Sequence, residues 1–248
     1  MNANRQTTVI QGNNKERTMK ITASNLIRWA GLSAMVAGII FAGIQPIHPP
    51  DVFASVNTSA FIIITSFKTA MSLFGLFGIA GLYARQVEET GWLGLAGYLL
   101  LSIFYAVQMC FSFVEPLILP LLTTVAPMFV ESVLGMASGA GGPMNLGAFA
   151  TVYSLVSVLY LLGLLLFGIA MFRARILPRW AAGLLAFSGP LAIIMVALLP
   201  HQLERLAAMP MGFALAWLGY ALWSERREHA SAPVPGRGSS QLHQTGAE

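Results

Sequence analysis

The sequence predicts an all-α polytopic membrane protein: six transmembrane helices arranged as three antiparallel hairpins, with both termini in the cytoplasm. Three observations carry that expectation. Six apolar runs are each long enough to cross a bilayer, whose ~30 Å hydrocarbon core takes ~20 residues of helix. Twelve of the 14 Lys and Arg residues fall beside alternate ends of those runs. A pattern that opens with Trp and closes with Arg occurs three times.

Composition sets the class. The chain is 56% hydrophobic and 10% charged, against about 25% charged in soluble domains. That much apolar surface needs lipid or neighbouring spans to cover it. The formal charge of +4 is gathered at the ends of apolar runs, where it orients a membrane protein rather than binding nucleic acid. One cysteine, Cys110, excludes an internal disulfide and a multi-cysteine metal site. It lies inside an apolar run and reads as a packed small residue.

Residues 1–25 are polar and basic and are expected to form a disordered cytoplasmic arm. Nothing before Met19 shows periodicity, so Met19 is an alternative start. Residues 26–223 form the transmembrane domain. Its first span, 26–45, stops at Pro46, Pro49 and Pro50. A signal peptide cleaved near Ala54 is the rival reading, opposed by the length of the run and the prolines at the cleavage region. The further spans are 60–82, 92–113, 146–172, 180–199 and 207–223. Between the third and fourth, residues 116–145 carry Pro116, Pro120 and Pro127 and then a Gly-rich turn. Missing backbone donors are not tolerated in lipid, so this stretch is expected at the outer interface, re-entrant or lying flat. Residues 224–248 are charged, then rich in Pro, Gly and Ser, and read as a disordered cytoplasmic tail.

With the N-terminus inside, the outer face receives only Arg205, and Lys68 lies within the bilayer. This split places the protein in the inner (plasma) membrane with both ends cytoplasmic. Each odd span opens with Trp near Gly and Leu: Trp29 with Gly31, Trp92 with Gly94, Trp180 with Gly183. Each even span closes with Gly-x-Ala-x-x-x-x-Arg: Gly78 to Arg85, Gly168 to Arg175, Gly219 to Arg226. Interfacial Trp, cytoplasmic Arg and small packing residues explain the elements. The identical interval in all three also fits an internal repeat.

The RWAGLSAMVAGIIFAG first helix and the His-Pro of the outer loop resemble small bacterial six-span membrane proteins grouped as domains of unknown function. The resemblance implies the six-span plan and brings no activity with it.

Lys68 is the only Lys or Arg well inside an apolar run. A charge there costs at least ~2.5–3.5 kcal/mol, so it needs compensation. At ~1.5 Å per residue it lies about 12 Å below the outer end of its helix. In the neighbouring span Gln108 falls at that depth and Glu115 near the outer boundary, within reach of a snorkelling Lys. Lys68, Tyr105, Gln108, Glu115 and Tyr153 therefore form a candidate polar substrate site, with a structural clamp between spans as the bland alternative. A second constellation lies on the outer face: His48 and Asp51 in the first loop, Glu115 and Glu131 around the Pro-rich stretch, His201 and Glu204 in the last. His48, Asp51, His201 and Glu204 could hold a Zn²⁺ ion with an open water position, although no H-E-x-x-H spacing is present. No GxSxG, P-loop or GxGxxG occurs either. Thr65, Ser66, Ser112, Ser154 and Ser157 are expected to bond their own helix backbones.

Two functional readings follow. The favoured one is a small-solute binding, transport or accessory membrane subunit, not an enzyme, with a polar site near Lys68. The other is an outer-leaflet metal-dependent membrane hydrolase. No cofactor is implied by the favoured reading. The expected partners are the lipid bilayer and another membrane protein or a second copy meeting Gly/Ala-rich helix faces; nucleic acid is not among them.

Overall fold

The structure is a computed structural model that describes residues 22–231; most of the basic arm and residues 232–248 of the tail lie outside the described residues. Every regular element described is helical: α1 Ala23–Ile44, α2 Ser59–Ala84, α3 Val87–Leu117, α4 Leu119–Leu122, α5 Pro127–Ser138, α6 Ala148–Ala174, α7 Arg179–Leu198 and α8 Met209–Ser231. Short 3₁₀ segments cover Gln45–Ile47, Phe53–Ser55 and His201–Ala208. Six helices are long and apolar enough to span a membrane: α1, α2, α3, α6, α7 and α8. Only 33–44% of the most apolar window of each is buried within the protein. The remaining apolar faces require lipid, which makes this a multi-pass membrane protein.

Local chemistry sets the boundaries. The Thr22 hydroxyl caps α1 by accepting from the Asn25 amide at 3.2 Å, and Thr58 caps α2 through Phe61 at 3.3 Å. A helical turn at the start of α3 is set off from the span proper by Gly91, at φ 55° and ψ −152°. That backbone conformation is open to glycine alone. Trp92 then begins the span, 85% exposed on the bundle surface. Trp29 and Trp180 are likewise outward-facing, as interfacial anchors should be.

The spans close a ring. α1 packs between α2 and α8, α3 between α2 and α6, and α7 joins α6 to α8. The tightest seam is α1 against α8. A Cβ at Gly38 would lie 2.4 Å from the Ala216 nitrogen, and one at Gly219 would lie 2.4 Å from the Met35 nitrogen. Gly31 meets Gly219, and Gly38 meets Gly212, so two glycines on each helix face two on the other. Only small residues permit backbones this close.

The three Gly-to-Arg intervals have a packing basis. A Cβ at Gly78 would strike Ala34 of α1, at Gly168 the Ala186 backbone of α7, and at Gly219 that of α1. The glycines of α6 and α8 thus face the next helix around the ring, whereas that of α2 faces the preceding one.

Residues 116–145 cap one end. Pro116 does not stop α3, which runs on to Leu117, because a proline in the last turn forfeits few helix bonds. α5 has 12 residues, about 18 Å, too short to cross. Val130, Val133 and Leu134 of α5 pack with Val56, Phe61 and Leu119 in a separate apolar cluster. The Gly-rich turn folds back on α5, and the Met144 amide donates to the Ser132 hydroxyl at 2.9 Å.

Three expectations need correction. The tail does not begin at 224: α8 continues through Ser231, since Ser224 to Ala230 contains strong helix formers and Glu225 reaches Arg85. Residues 23–25 belong to α1 rather than to the arm. Cys110 is exposed on the bundle surface rather than packed inside it.

Candidate functional site

Lys68 on α2 and Glu115 on α3 meet at the end of the bundle opposite the described termini. The Nζ–Oε2 distance is 2.5 Å, and the side chains are 17% and 15% exposed. The seam beneath them is hydrogen-bonded. Thr69 Oγ1 donates to the Ser112 carbonyl at 2.8 Å, and Gln108 Nε2 donates to Ser112 Oγ at 3.1 Å. The Gln108 bond stays within α3, one turn below the Thr69–Ser112 contact, and does not reach Lys68. Ser112 departs from the expected self-bonding, whereas Thr65, Ser66 and Ser154 each donate to their own helix backbone.

A second ion pair stands beside the first. Arg205, in the 3₁₀ segment before α8, reaches Asp51 of the first loop at 2.5 Å. The Arg205 side chain is 39% exposed, while that of Asp51 is 10% exposed. Both members act electrostatically on Glu115 and on Tyr153 of α6, so the two pairs share one field.

His48 belongs to this field as well. Its Nδ1 lies 2.7 Å from the Pro49 carbonyl, which can only accept, so Nδ1 carries the proton and Nε2 holds the lone pair. Nε2 is buried and has no hydrogen-bond partner among the described residues. Burial pushes the His48 pKa down to about 4; the nearby cations Lys68 and Arg205 push the same way, against the Pro49 bond and Asp51. The imidazole is therefore neutral at physiological pH.

Residues from both constellations thus share one cluster with Arg205: His48, Asp51, Lys68 and Glu115, with Tyr153 at its edge. Tyr105 does not belong to it. Its ring is buried on Gly75 of α2 and beside Phe104, deeper in the core. The metal set His48, Asp51, His201 and Glu204 falls partly outside the described residues. Among the described residues no group of three or more His, Cys, Asp or Glu could hold a metal ion. Asp51 is instead committed to Arg205, and the His201 side chain lies outside what is described. Glu131 is exposed on α5.

Sequence reasoning missed the role of Arg205. Its position as the lone basic residue on the acid-side loops was the available signal, since an isolated cation beside a membrane calls for a carboxylate. It also missed the pair that ties the opposite end of the bundle, Arg85 of α2 with Glu225 of α8. There Arg85 Nε donates to both carboxylate oxygens at 3.1 and 3.2 Å.

Comparison with known proteins leaves the cluster to be read on its own chemistry: no family model, no curated protein and no solved structure matches the chain.

Proposed function

We propose that this is a plasma-membrane protein of three antiparallel hairpins, with cytoplasmic termini, that binds a small polar solute at its outer end and serves its transport or an associated complex. The basic residues gathered at the end with the termini support the orientation. The observation that carries the solute reading is the unpartnered Nε2 of His48 within the two ion pairs. A clamp between helices accounts for the pairs, because an intramembrane Lys needs a counter-ion. It does not account for a buried acceptor without a protein partner among the described residues, which calls for a donor from a water or a solute, since an unsatisfied group costs about 1–3 kcal/mol.

The test is a melting-temperature screen of the full chain in detergent. The panel holds single small polar solutes: amino acids, carboxylates, amines and sugars. A solute that raises the melting point of the wild type, and not of a Lys68→Met/Glu115→Gln double variant, supports the reading. If no solute discriminates the two proteins, the cluster is a clamp.

A further inference from the structure

The cluster is electrically balanced. Lys68 and Arg205 face Glu115 and Asp51 in short pairs, and His48 is held neutral among them. A lone anion or cation entering such a site would add an uncompensated charge where water is scarce, which is strongly disfavoured. A solute carrying both signs adds none. Its carboxylate can take over hydrogen bonds from Lys68 and Arg205, and its cation those of the two carboxylates.

His48 narrows the class further. Because Nδ1–H is committed to Pro49, Nε2 is an acceptor only. It calls for a donor hydrogen, which a primary ammonium has and a quaternary ammonium lacks. Arg205 is the most exposed member of the cluster, with Asp51 behind it, so the site opens toward water on the Arg205 side.

We propose, resting on the solute reading above, that the cluster recognises a small zwitterion of the amino-acid type, its carboxylate on Lys68 and Arg205 and its ammonium donating to His48 Nε2. The orphaned acceptor then has a partner, and a solute of zero net charge leaves the cluster balanced.

Isothermal titration of the full chain in detergent with four matched probes tests this: glycine, acetate, methylammonium and glycine betaine. Glycine is expected to bind. Acetate and methylammonium should each bind at least about tenfold more weakly, and so should betaine, which has no N–H, since one lost hydrogen bond to a buried acceptor costs about a factor of ten. In His48→Phe the preference for glycine over betaine should collapse toward unity, which a merely structural role would not produce. Acetate binding as well as glycine overturns the zwitterion and leaves a solute site standing. Betaine equal to glycine in the wild type overturns the role of His48. If none of the four binds while another solute of the wider panel does, the class is wrong; if nothing in the panel binds, the solute site itself falls.

Discussion

Glu115→Gln should cost more than the removal of Glu115 and Lys68 together. In the wild type the pair is 2.5 Å long and each side chain retains about one sixth of its exposure. At an effective dielectric constant of ~20 the gross attraction is about 6–7 kcal/mol, most of it offset by desolvation of both ions. Removing one partner leaves the other desolvated and alone, at about 3–5 kcal/mol when burial is complete. The residual exposure and the ability of Lys68 to snorkel bring the expected loss to about 2–3 kcal/mol. At roughly 2–4 °C per kcal/mol for a chain of this length, the melting point of Glu115→Gln should fall by roughly 5–10 °C. Lys68→Met/Glu115→Gln should recover more than half of that, because the hydrogen bond from Thr69 to the Ser112 carbonyl still holds the α2–α3 seam. The assay is thermal unfolding of the four proteins of the cycle in one detergent. Losses that simply add in the double variant would refute the coupling.

Gly38→Leu should abolish folding or lower the melting point severely, since its Cβ alone would fall 2.4 Å from the α8 backbone; Gly43→Ala, with nothing within 4 Å, is the neutral control. Stability should fall as pH drops below 6.5 and level off near 4, because the unfolded chain takes a proton on His48 first while the folded pKa is pushed down. Partial exposure limits that loss to about 1–2 kcal/mol, and His48→Phe should flatten the profile across that window. In a Cys110→Ala background, Ser55→Cys and Ser138→Cys should label from outside with an impermeant thiol reagent, whereas Ser231→Cys should not; labelling at Ser231 in intact cells would overturn the orientation.

Sequence and structure agree where height along a helix decides the matter, and part where azimuth does. Depth counting brings Glu115 within reach of a snorkelling Lys68, because rise per residue is fixed, although it set Gln108 at the height of Lys68, where Thr69 beside Ser112 places that level a turn further along α3. The same counting put Tyr105 into the site, but its face of α3 turns toward Gly75 and the core. His48, Asp51 and Arg205 sit in loop segments whose positions depend on how the ring closes, so no local periodicity brings them to Lys68. The end of α8 is hidden for another reason. Hydropathy registers where the apolar run stops, not where a run of Glu, Arg and Ala remains helical.

The glycine seam between α1 and α8 sets a schedule for assembly. Gly31 and Gly219 stand at opposite ends of the helical bundle's sequence, yet they meet backbone to backbone where the ring closes. During synthesis α1 enters the bilayer before α8 and must wait, its glycine face turned to lipid, until α8 leaves the ribosome. Contacts of such high sequence separation form late. A chain that stops before residue 209 is therefore an open ring, with α2 on one side of the first span and no mate for the face that carries Gly31 and Gly38. Quality-control proteases in the membrane would meet that exposed stripe as the mark of an unfinished protein.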